Sequence, residues 1–519
     1  MGTTQRQASG RKHSLGRTVV WLLIPILAAG MFIFATSSGI GLVSDSFFYI
    51  GGSEGILSGE GFSRPAAEGN WKIITHFPPF YAVLLSLPRL FLPSTDAAIA
   101  LHLVLYVINA VLAGHLVQRA TGNWLSGWLA GVLWSLSPVL LRQQISVLSE
   151  GLSFTMILLF LLHFQTYAQT RRWVDIAFAG VLVGFNYLTR YAGAAFILPG
   201  IIFLLIDGRS KVLDRITRLL LFLFTSLALP SVWALRNFWL TGSTSNRVLG
   251  WHPFSKAQLF RAAQTMVHWL SPVDFPGIVD LVLLGALLLM VGVLFLTWAL
   301  RFLRGEPQSR DRSSQTMLLL SASVLSYLAL LVVSISLFDA STPLDDRILS
   351  PVYVLLLLMA FLVLGRRAAD RLPGKRLLLL VAILLTLWIG FRGARAANEA
   401  ARYPAGFASA TWQDSPVVGF VQELDVDTLL YSNEIDALYL LTGRMAYLIP
   451  VQWDPVTTLE REDYEEVLTK MRQSLHAKQG YLVLFSTLEA QPFFPDRSVL
   501  TEGMTPVLES DSGSIYRFD

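Results

Sequence analysis

Over the first three-quarters of the chain, apolar residues run in long blocks broken by short stretches that carry most of the arginines. A bilayer core of about 30 Å takes about 20 residues of helix to cross. Blocks of that kind lie at about 18–38, 97–117, 124–141, 151–168, 173–189, 191–206, 216–235, 278–300, 315–337, 348–364 and 375–391. The pattern predicts eleven spanning helices. A twelfth apolar stretch, 78–93, is shorter and holds Pro78, Pro79, Pro88, Arg89 and Pro93. Proline at that density breaks a spanning helix or confines it to the interface. Beyond residue 393 the texture changes. Short β-rich runs at 428–432, 446–450 and 481–486 alternate with helical patterns at about 434–442 and 459–477, the mark of a small α/β unit.

The expected fold class is therefore mainly α. A polytopic membrane helix bundle of about 11 spans, with an outer juxtamembrane helix, is followed by a small C-terminal α/β domain. The boundaries are 1–393 for the membrane domain, with its first outer loop at 39–95, and 394–519 for the soluble one. Composition agrees: charged residues are 15% of the 519 and mean hydropathy is +0.54, too few polar groups to cover a soluble globule. Cysteine is absent, which excludes disulfides, thiolate metal sites, iron–sulfur clusters and cysteine nucleophiles.

Charge is split along the chain. Residues 394–519 carry 9 Lys and Arg against 19 Asp and Glu, while residues 1–393 carry 31 against 17. The basic excess does not point to nucleic acid, because its arginines sit in short loops where they orient a membrane protein. With the N-terminus inside and eleven crossings, the inner segments hold 20 Lys and Arg and the outer loops 9. A twelfth crossing at 78–93 would invert the later loops, so that stretch is expected along the outer surface. The acidic tail is then also outside. The first span follows a basic stretch but has no small-residue cleavage site, so it reads as an uncleaved anchor.

Ionisable groups near a membrane are costly and mark function. Here they gather on the expected outer side. The first loop opens with SDSFFYIGGSEGILSGEGF (44–62) and closes with NWKIITHFPPFY (70–81); Asp45 lies about seven residues past the first span. The other members are Glu150, Arg190, Arg236, Asn237, Arg247, Asp345, Asp346 and Arg347. Arginines suit a phosphate, through forked charge-assisted hydrogen bonds, and a nearby carboxylate suits removal of a proton from an attacking hydroxyl. Each has a plain structural alternative. Asp45 and Glu150 sit where they would cap helices, and Arg190 and Arg347 could anchor at lipid headgroups. His102, His115 and His163 lie inside spans and are assigned nothing. Asn433 in the tail is a candidate for acceptor contact.

The ordered set of motifs resembles the GT-C glycosyltransferases. Asp45, Tyr49, Gly59, Gly61, Phe77, Pro78, Pro79 and Tyr81 are similar to that superfamily's Asp-x-x-x-Tyr loop, glycine-rich helix and Phe-Pro-Pro-x-Tyr. Further matches are Ser149-Glu150, Thr189 to Gly193, Trp233 to Asn237, Arg347 to Pro351, and 431–444 in the tail. Within the superfamily the chain looks like the bacterial polyprenyl-phosphate-sugar-dependent branch, which includes protein O-mannosyltransferases and lipid A aminoarabinose transferases.

The resemblance implies an inverting glycosyl transfer from a polyprenyl-phosphate-linked sugar to an acceptor hydroxyl on the outer face. It implies Asp45 as general base and Arg347, Arg190, Arg247 and His76 as contacts to the donor phosphate. Tyr49, Glu150, Tyr191 and Asp346 complete the expected site. No residue is assigned to a metal and no cofactor is required, with a divalent cation left open. The implied partners are the lipid-linked donor, a lipid, glycan or protein acceptor, and membrane lipids. The implied location is a bacterial inner membrane, with the N-terminus cytoplasmic and the C-terminal domain extracytoplasmic. One departure is visible: relatives often carry a second acidic residue beside the catalytic aspartate, whereas Asp45 is followed by Ser46. A transporter or lipid flippase is the alternative, but the spans hold almost no Lys, Arg or carboxylate and show no half-to-half repeat. An inactive envelope component ranks third.

Overall fold

The computed structural model describes residues 17–207, 211–244, 249–271, 273, 275–306, 311–339, 342–369, 375–453 and 459–519. Among these, eight helices are long and apolar enough to cross a membrane: Arg17–Ala35, Ser94–Thr121, Glu150–Thr170, Val212–Thr241, Gly277–Leu303, Arg312–Leu337, Asp346–Arg366 and Leu380–Arg402. Three shorter apolar helices, Trp124–Leu136, Trp173–Thr189 and Tyr191–Ile206, lie at the other expected spans. The block at 124–141 is broken at Ser137, whose hydroxyl caps a separate turn, Pro138–Arg142. The proline-rich stretch forms the helix Phe80–Arg89. At about 1.5 Å per residue its ten residues reach about 15 Å, half a bilayer core.

The chain divides into two compact units. The first comprises Met1–Ser37, Thr75–Tyr81 and Ala100–Glu399. Its most enclosed span is Glu150–Thr170, 83% buried over its most apolar window, whereas Val212–Thr241 and Gly277–Leu303 are 17% buried and turn Phe224, Trp239 and Leu289 outward. Apolar side chains facing out are what a hydrocarbon solvent favours. One buried polar pair ties the interior together. His102 donates from Nδ1 to the Gln144 carbonyl at 2.7 Å, which leaves Nε2 to accept from the Tyr81 hydroxyl at 2.6 Å. A neutral imidazole is satisfied by those two bonds, so the histidine has a structural role.

The second unit comprises Ser38–Ile74, Ala82–Ile99 and Ala400–Asp519. Its sheet contains β3 (Leu430–Ser432), β4 (Tyr447–Leu448), β5 (Tyr481–Phe485), β6 (Thr505–Ser510) and β7 (Gly513–Arg517), in the order β4-β3-β5-β7-β6. A second, two-stranded sheet pairs β1 (Ser63–Pro65) with β2 (Trp71–Ile73) in the first loop. Strand β3 runs parallel to β4 and β5, while β7 pairs antiparallel with β5 and β6. The parallel strands are joined through the helices Ile435–Thr442 and Tyr464–Ala477, as parallel connections require. Alternation along β5 sends Leu482 and Leu484 into one core with Leu468, Met471 and Leu475. Val483 and Phe485 enter the other, with Val417, Val421 and Leu438. The β6–β7 hairpin is not apparent in the sequence pattern.

Within this unit the first loop and the start of the tail pair as backbone: Leu42 N–H donates to Ala405 at 3.1 Å, and Phe407 N–H to Leu42 at 2.7 Å. The helix Ser44–Leu57 lies so close to β1 that a Cβ on Gly55 would stand 2.3 Å from the Ser63 carbonyl oxygen. Gly55→Ala must therefore push helix and strand apart, and is expected to destabilise the protein by about 1–3 kcal/mol, the usual cost of overpacking. Gly30→Ala meets nothing within 4 Å and serves as the neutral control. Thermal melting of the two purified variants in detergent checks the difference.

Candidate active site

Three of the expected residues meet inside the first unit. Glu150 opens the helix Glu150–Thr170 and its side chain is 1% exposed. Its Oε1 accepts from Arg347 Nε at 2.5 Å and also from Arg190. Glu150 stands in the first turn of its helix, as the capping alternative expects, and both arginines turn inward onto its buried carboxylate rather than out to lipid headgroups. A guanidinium has five N–H donors in a rigid fork, so a carboxylate behind it orients the fork without exhausting it.

Local sequence explains each position. Arg190 follows the last residue of the helix Trp173–Thr189, in extended backbone, with its N–H bonded to Asn186 at 2.8 Å. Asn186 Oδ1 in turn accepts from the Ser153 hydroxyl at 2.7 Å, tying this helix to the one that carries Glu150. The tight 3-10 turn after Arg190 brings Gly193 against Asn186, where a Cβ would stand 2.4 Å from the carbonyl carbon. Arg347 sits in the first turn of the helix Asp346–Ala369. Asp345 caps that helix, accepting from the N–H groups of Arg347 and Ile348, both at 3.0 Å.

Arg347 also lines a cavity of about 490 Å³, with Pro138, Arg142, His268, Trp269, Asp346 and Arg392 among its walls. Asp346 accepts from the Trp269 indole at 3.0 Å and from Arg142 at 3.4 Å. Arg392 is braced by the carbonyls of Trp269 and His268, both at 2.8 Å. This space, with three guanidinium groups, two carboxylates and an indole on its wall, can take an anion and the hydroxyl-rich group attached to it. Arg142, Trp269 and Arg392 join this wall only in the folded chain. Nothing in their spacing signals them, because they come from three elements far apart in the chain.

Tyr191 is also in the first unit. Its hydroxyl donates to the Thr75 carbonyl at 3.0 Å and accepts from the Trp233 indole at 3.2 Å. Thr75 accepts from Asn237 as well, at 3.3 Å, so Tyr191 and Asn237 hold the strand of backbone that precedes His76. His76 packs edge-on to Phe77, ring centroids 4.8 Å apart. Arg236 lies 4.8 Å over the Trp233 ring and donates to Asn237 at 2.9 Å. Arg247 lies outside the described residues.

Asp45 and Tyr49 belong to the second unit, on the helix Ser44–Leu57. Asp45 is half-buried and Tyr49 is buried. Asp45 is not the helix cap. That position is Val43, whose N–H donates to the Ser46 hydroxyl at 3.0 Å. A further carboxylate lies close by. Asp436, in the first turn of Ile435–Thr442, accepts a hydrogen bond from Ser44 and is in electrostatic reach of Asp45, Arg64 and Glu434. Burial, helped by the two neighbouring carboxylates, pushes its carboxyl up to about 7 against the opposing pull of Arg64. Asp436 lies in the stretch 431–444, where nothing in the spacing marks it out. Asn433, expected at the acceptor, instead accepts from the Phe485 N–H at 2.9 Å and donates to Thr487 at 3.1 Å, a structural tie between β3 and the end of β5.

Among the described residues no three His, Cys, Asp or Glu side chains are gathered for a metal. Residues 76–233 match the family described as dolichyl-phosphate-mannose-protein mannosyltransferase. No curated protein sequence matches the chain. Among solved structures it is similar to ArnT from Cupriavidus metallidurans bound to undecaprenyl phosphate, with TM-score 0.52, 12% identity, and 95% of this chain and 97% of that one covered. The chain has the fold of the GT-C membrane glycosyltransferases. Two further members of that fold agree. The Archaeoglobus fulgidus oligosaccharyltransferase, in complex with zinc and sulfate, matches with TM-score 0.52 and 13% identity over 95% of this chain and 73% of that one. The mycobacterial arabinofuranosyltransferase AftD matches with TM-score 0.50 and 14% identity over 96% of this chain and 41% of that one. In the GT-C fold seen here, Glu150, Arg190 and Arg347 come from three separate helix ends.

Proposed function

We propose that this protein moves a sugar from a polyprenyl-phosphate-linked donor to an acceptor hydroxyl, with inversion. The observation that carries the reading is the pair of arginines oriented by one buried carboxylate, Arg347 forming part of the wall of a polar cavity. The family match over 76–233 and the lipid phosphate held by ArnT support a lipid-linked phosphate as donor.

In this reading Arg347 and Arg190 grip the donor phosphate, a diester carrying one negative charge. As the bond from the anomeric carbon to the phosphate oxygen breaks, the leaving phosphate gains a second charge, which the guanidiniums stabilise as it forms. Asp45 takes the proton of the acceptor hydroxyl while the new carbon–oxygen bond closes. Attack from the face opposite the phosphate inverts the anomeric centre. His76 and Arg247 are assigned to the phosphate, and Asp346 and Tyr49 to the bound sugars. The reading assigns no residue to a divalent cation and leaves one open, with the charge at the phosphate coming from two arginines offset in part by Glu150. The excess of Lys and Arg in alternate loops supports an N-terminus in the cytoplasm and residues 394–519 outside a bacterial inner membrane.

The experiment is a transfer assay in proteoliposomes with a panel of labelled polyprenyl-phosphate sugars. Label should leave the lipid for one donor class, with no effect of chelator. Release that requires added divalent cation would overturn the metal-independent mechanism. Counterflow of intact lipid without bond cleavage would favour the flippase alternative.

A further inference from the structure

Within the first unit the helix Lys256–His268 is fastened to the chain at the start of the helix Asp346–Ala369 by two hydrogen bonds one turn apart. The Thr265 hydroxyl donates to the Leu344 carbonyl at 2.8 Å, and the Trp269 indole donates from Nε1 to Asp346 Oδ1 at 3.0 Å. The indole is buried and meets the Tyr353 ring edge-on, at 5.2 Å between ring centroids, so its orientation is fixed. The end of the same helix is clasped from a third element. Arg392 donates from Nη1 to the Trp269 carbonyl and from Nη2 to the His268 carbonyl, both at 2.8 Å. Trp388, one turn earlier, donates to the Leu270 carbonyl at 3.2 Å. The last carbonyls of a helix have no partner within it, and a guanidinium there also meets the negative end of the helix dipole.

Trp269, Asp346, Arg347 and Arg392 all line the cavity of about 490 Å³, a volume that suits a small polar ligand. Asp346 and Arg347 are consecutive, so a donor phosphate held by Arg347 brings its sugar to the same wall. Asp346 is only partly engaged. Its Oδ1 accepts from Trp269, and its Oδ2 accepts from Arg142 across 3.4 Å. Among the described residues those bonds leave about two of a carboxylate's four acceptor positions, and the side chain is 32% exposed. We infer that Asp346 reads hydroxyl groups of the sugar being transferred, and that Trp269 and Arg392 are positioning residues for that reading. Arg392 fixes the helix end, the helix end fixes the indole, and the indole fixes the carboxylate. The inference rests on Arg347 holding the donor phosphate. A loose carboxylate accepts from hydroxyls in many arrangements, whereas one pinned at Oδ1 selects the arrangement that meets its remaining positions.

The experiment uses the full-length protein in nanodiscs. Its probes are undecaprenyl phosphate, bare or carrying mannose or arabinose, and the singly deoxygenated form of each sugar. Displacement of labelled undecaprenyl phosphate reads affinity without turnover. In the wild type one sugar-bearing lipid should bind about tenfold more tightly than the bare lipid phosphate. One of its deoxygenated forms should lose that gain, as loss of a hydrogen bond to a charged group does. Trp269→Phe keeps a ring and removes the N–H. It should cut the discrimination between hydroxyl and deoxy forms about tenfold and leave the affinity for bare undecaprenyl phosphate unchanged. Arg392→Ala should do the same, and Arg392→Lys should recover part of the loss, because an ammonium still donates to the helix-end carbonyls. Trp388→Phe removes a bond to the same helix end, at a carbonyl that does not brace Trp269, and should discriminate as the wild type does.

Unchanged discrimination in Trp269→Phe would overturn the proposal, and so would a wild type that binds no sugar-bearing lipid better than the bare one. An equal loss in Trp388→Phe would reduce Arg392 to a helix clamp and remove it from sugar recognition. If Trp269→Phe alters the acceptor KM in the transfer assay while donor displacement stays as it was, the cavity belongs to the acceptor and the inference falls. Failure of the phosphate reading is seen separately: bare undecaprenyl phosphate would then bind the wild type and Arg347→Ala alike, or bind neither.

Discussion

Asp45→Asn is expected to lower the rate of sugar transfer by about 10²–10⁴-fold, the range supplied by a positioned general base. Asparagine matches aspartate in size, and the helix cap is made by Val43 and Ser46. The helix Ser44–Leu57 should therefore form as before, and the variant should melt within about 0.5 kcal/mol of wild type, as substitutions away from core and caps do. Donor binding should be unchanged, because other residues are assigned to the phosphate. The measurement is single-turnover transfer in proteoliposomes, with donor retention scored in parallel. Loss of both binding and transfer would mean that Asp45 serves structure or donor recognition. Full transfer would remove it from the mechanism.

The second large effect is expected at the arginine pair. Arg347→Ala should cost about 10²–10³-fold in transfer, as removal of one preorganised donor to a developing oxyanion does. Arg347→Lys should recover little of it. Arg347 donates to Glu150 through Nε while lining the cavity, and an ammonium has no planar fork with which to do both. Glu150→Ala should be as damaging by a different route. It leaves Arg190 and Arg347 facing each other without the carboxylate between them, a loss of about 3–5 kcal/mol for a buried pair broken on one side. The two routes separate in the assay. Arg347→Ala should raise donor KM and lower kcat in a protein that still folds, whereas Glu150→Ala should also lower the melting temperature. A wild-type donor KM in Arg347→Ala would sink the phosphate assignment.

The zinc held by the oligosaccharyltransferase neighbour makes chelation an informative control in every one of these assays. Asp436 has Arg64 in electrostatic reach as well as Asp45. A guanidinium in that place competes with a cation for the Asp436 carboxylate.

Several features were open to reading along the chain. Membrane spans are legible because a helix in hydrocarbon needs only length and apolarity, and both are linear properties. Strand β5 is legible for a similar reason: YLVLF is a short apolar run with both faces buried. The β6–β7 hairpin is not legible, since 505–510 is mostly exposed and its turn at 511–513 carries no strong signal. Asn433 was misread because an exposed-looking polar residue in a tail string gives no sign that its amide fastens β5. Asp45, Glu150, Arg190 and Arg347 stand out through the cost of placing charge at a membrane, a property of each residue separately, and through the motifs in which they lie.

What those charges do to one another is a different kind of fact. The sequence by itself determined that this is a membrane protein of many spans with an acidic α/β tail, and that its candidate chemistry is carboxylate and guanidinium, not thiol. Composition and the position of each charge relative to the apolar blocks are enough for that. Only the tertiary structure decided that Arg190 and Arg347 share Glu150, that Arg142, Trp269 and Arg392 wall the same cavity, and that Asp436 stands beside Ser44 and Asp45. Electrostatic coupling and hydrogen bonding act over a few ångströms in space, and residues that meet at that distance here lie up to about four hundred apart along the chain.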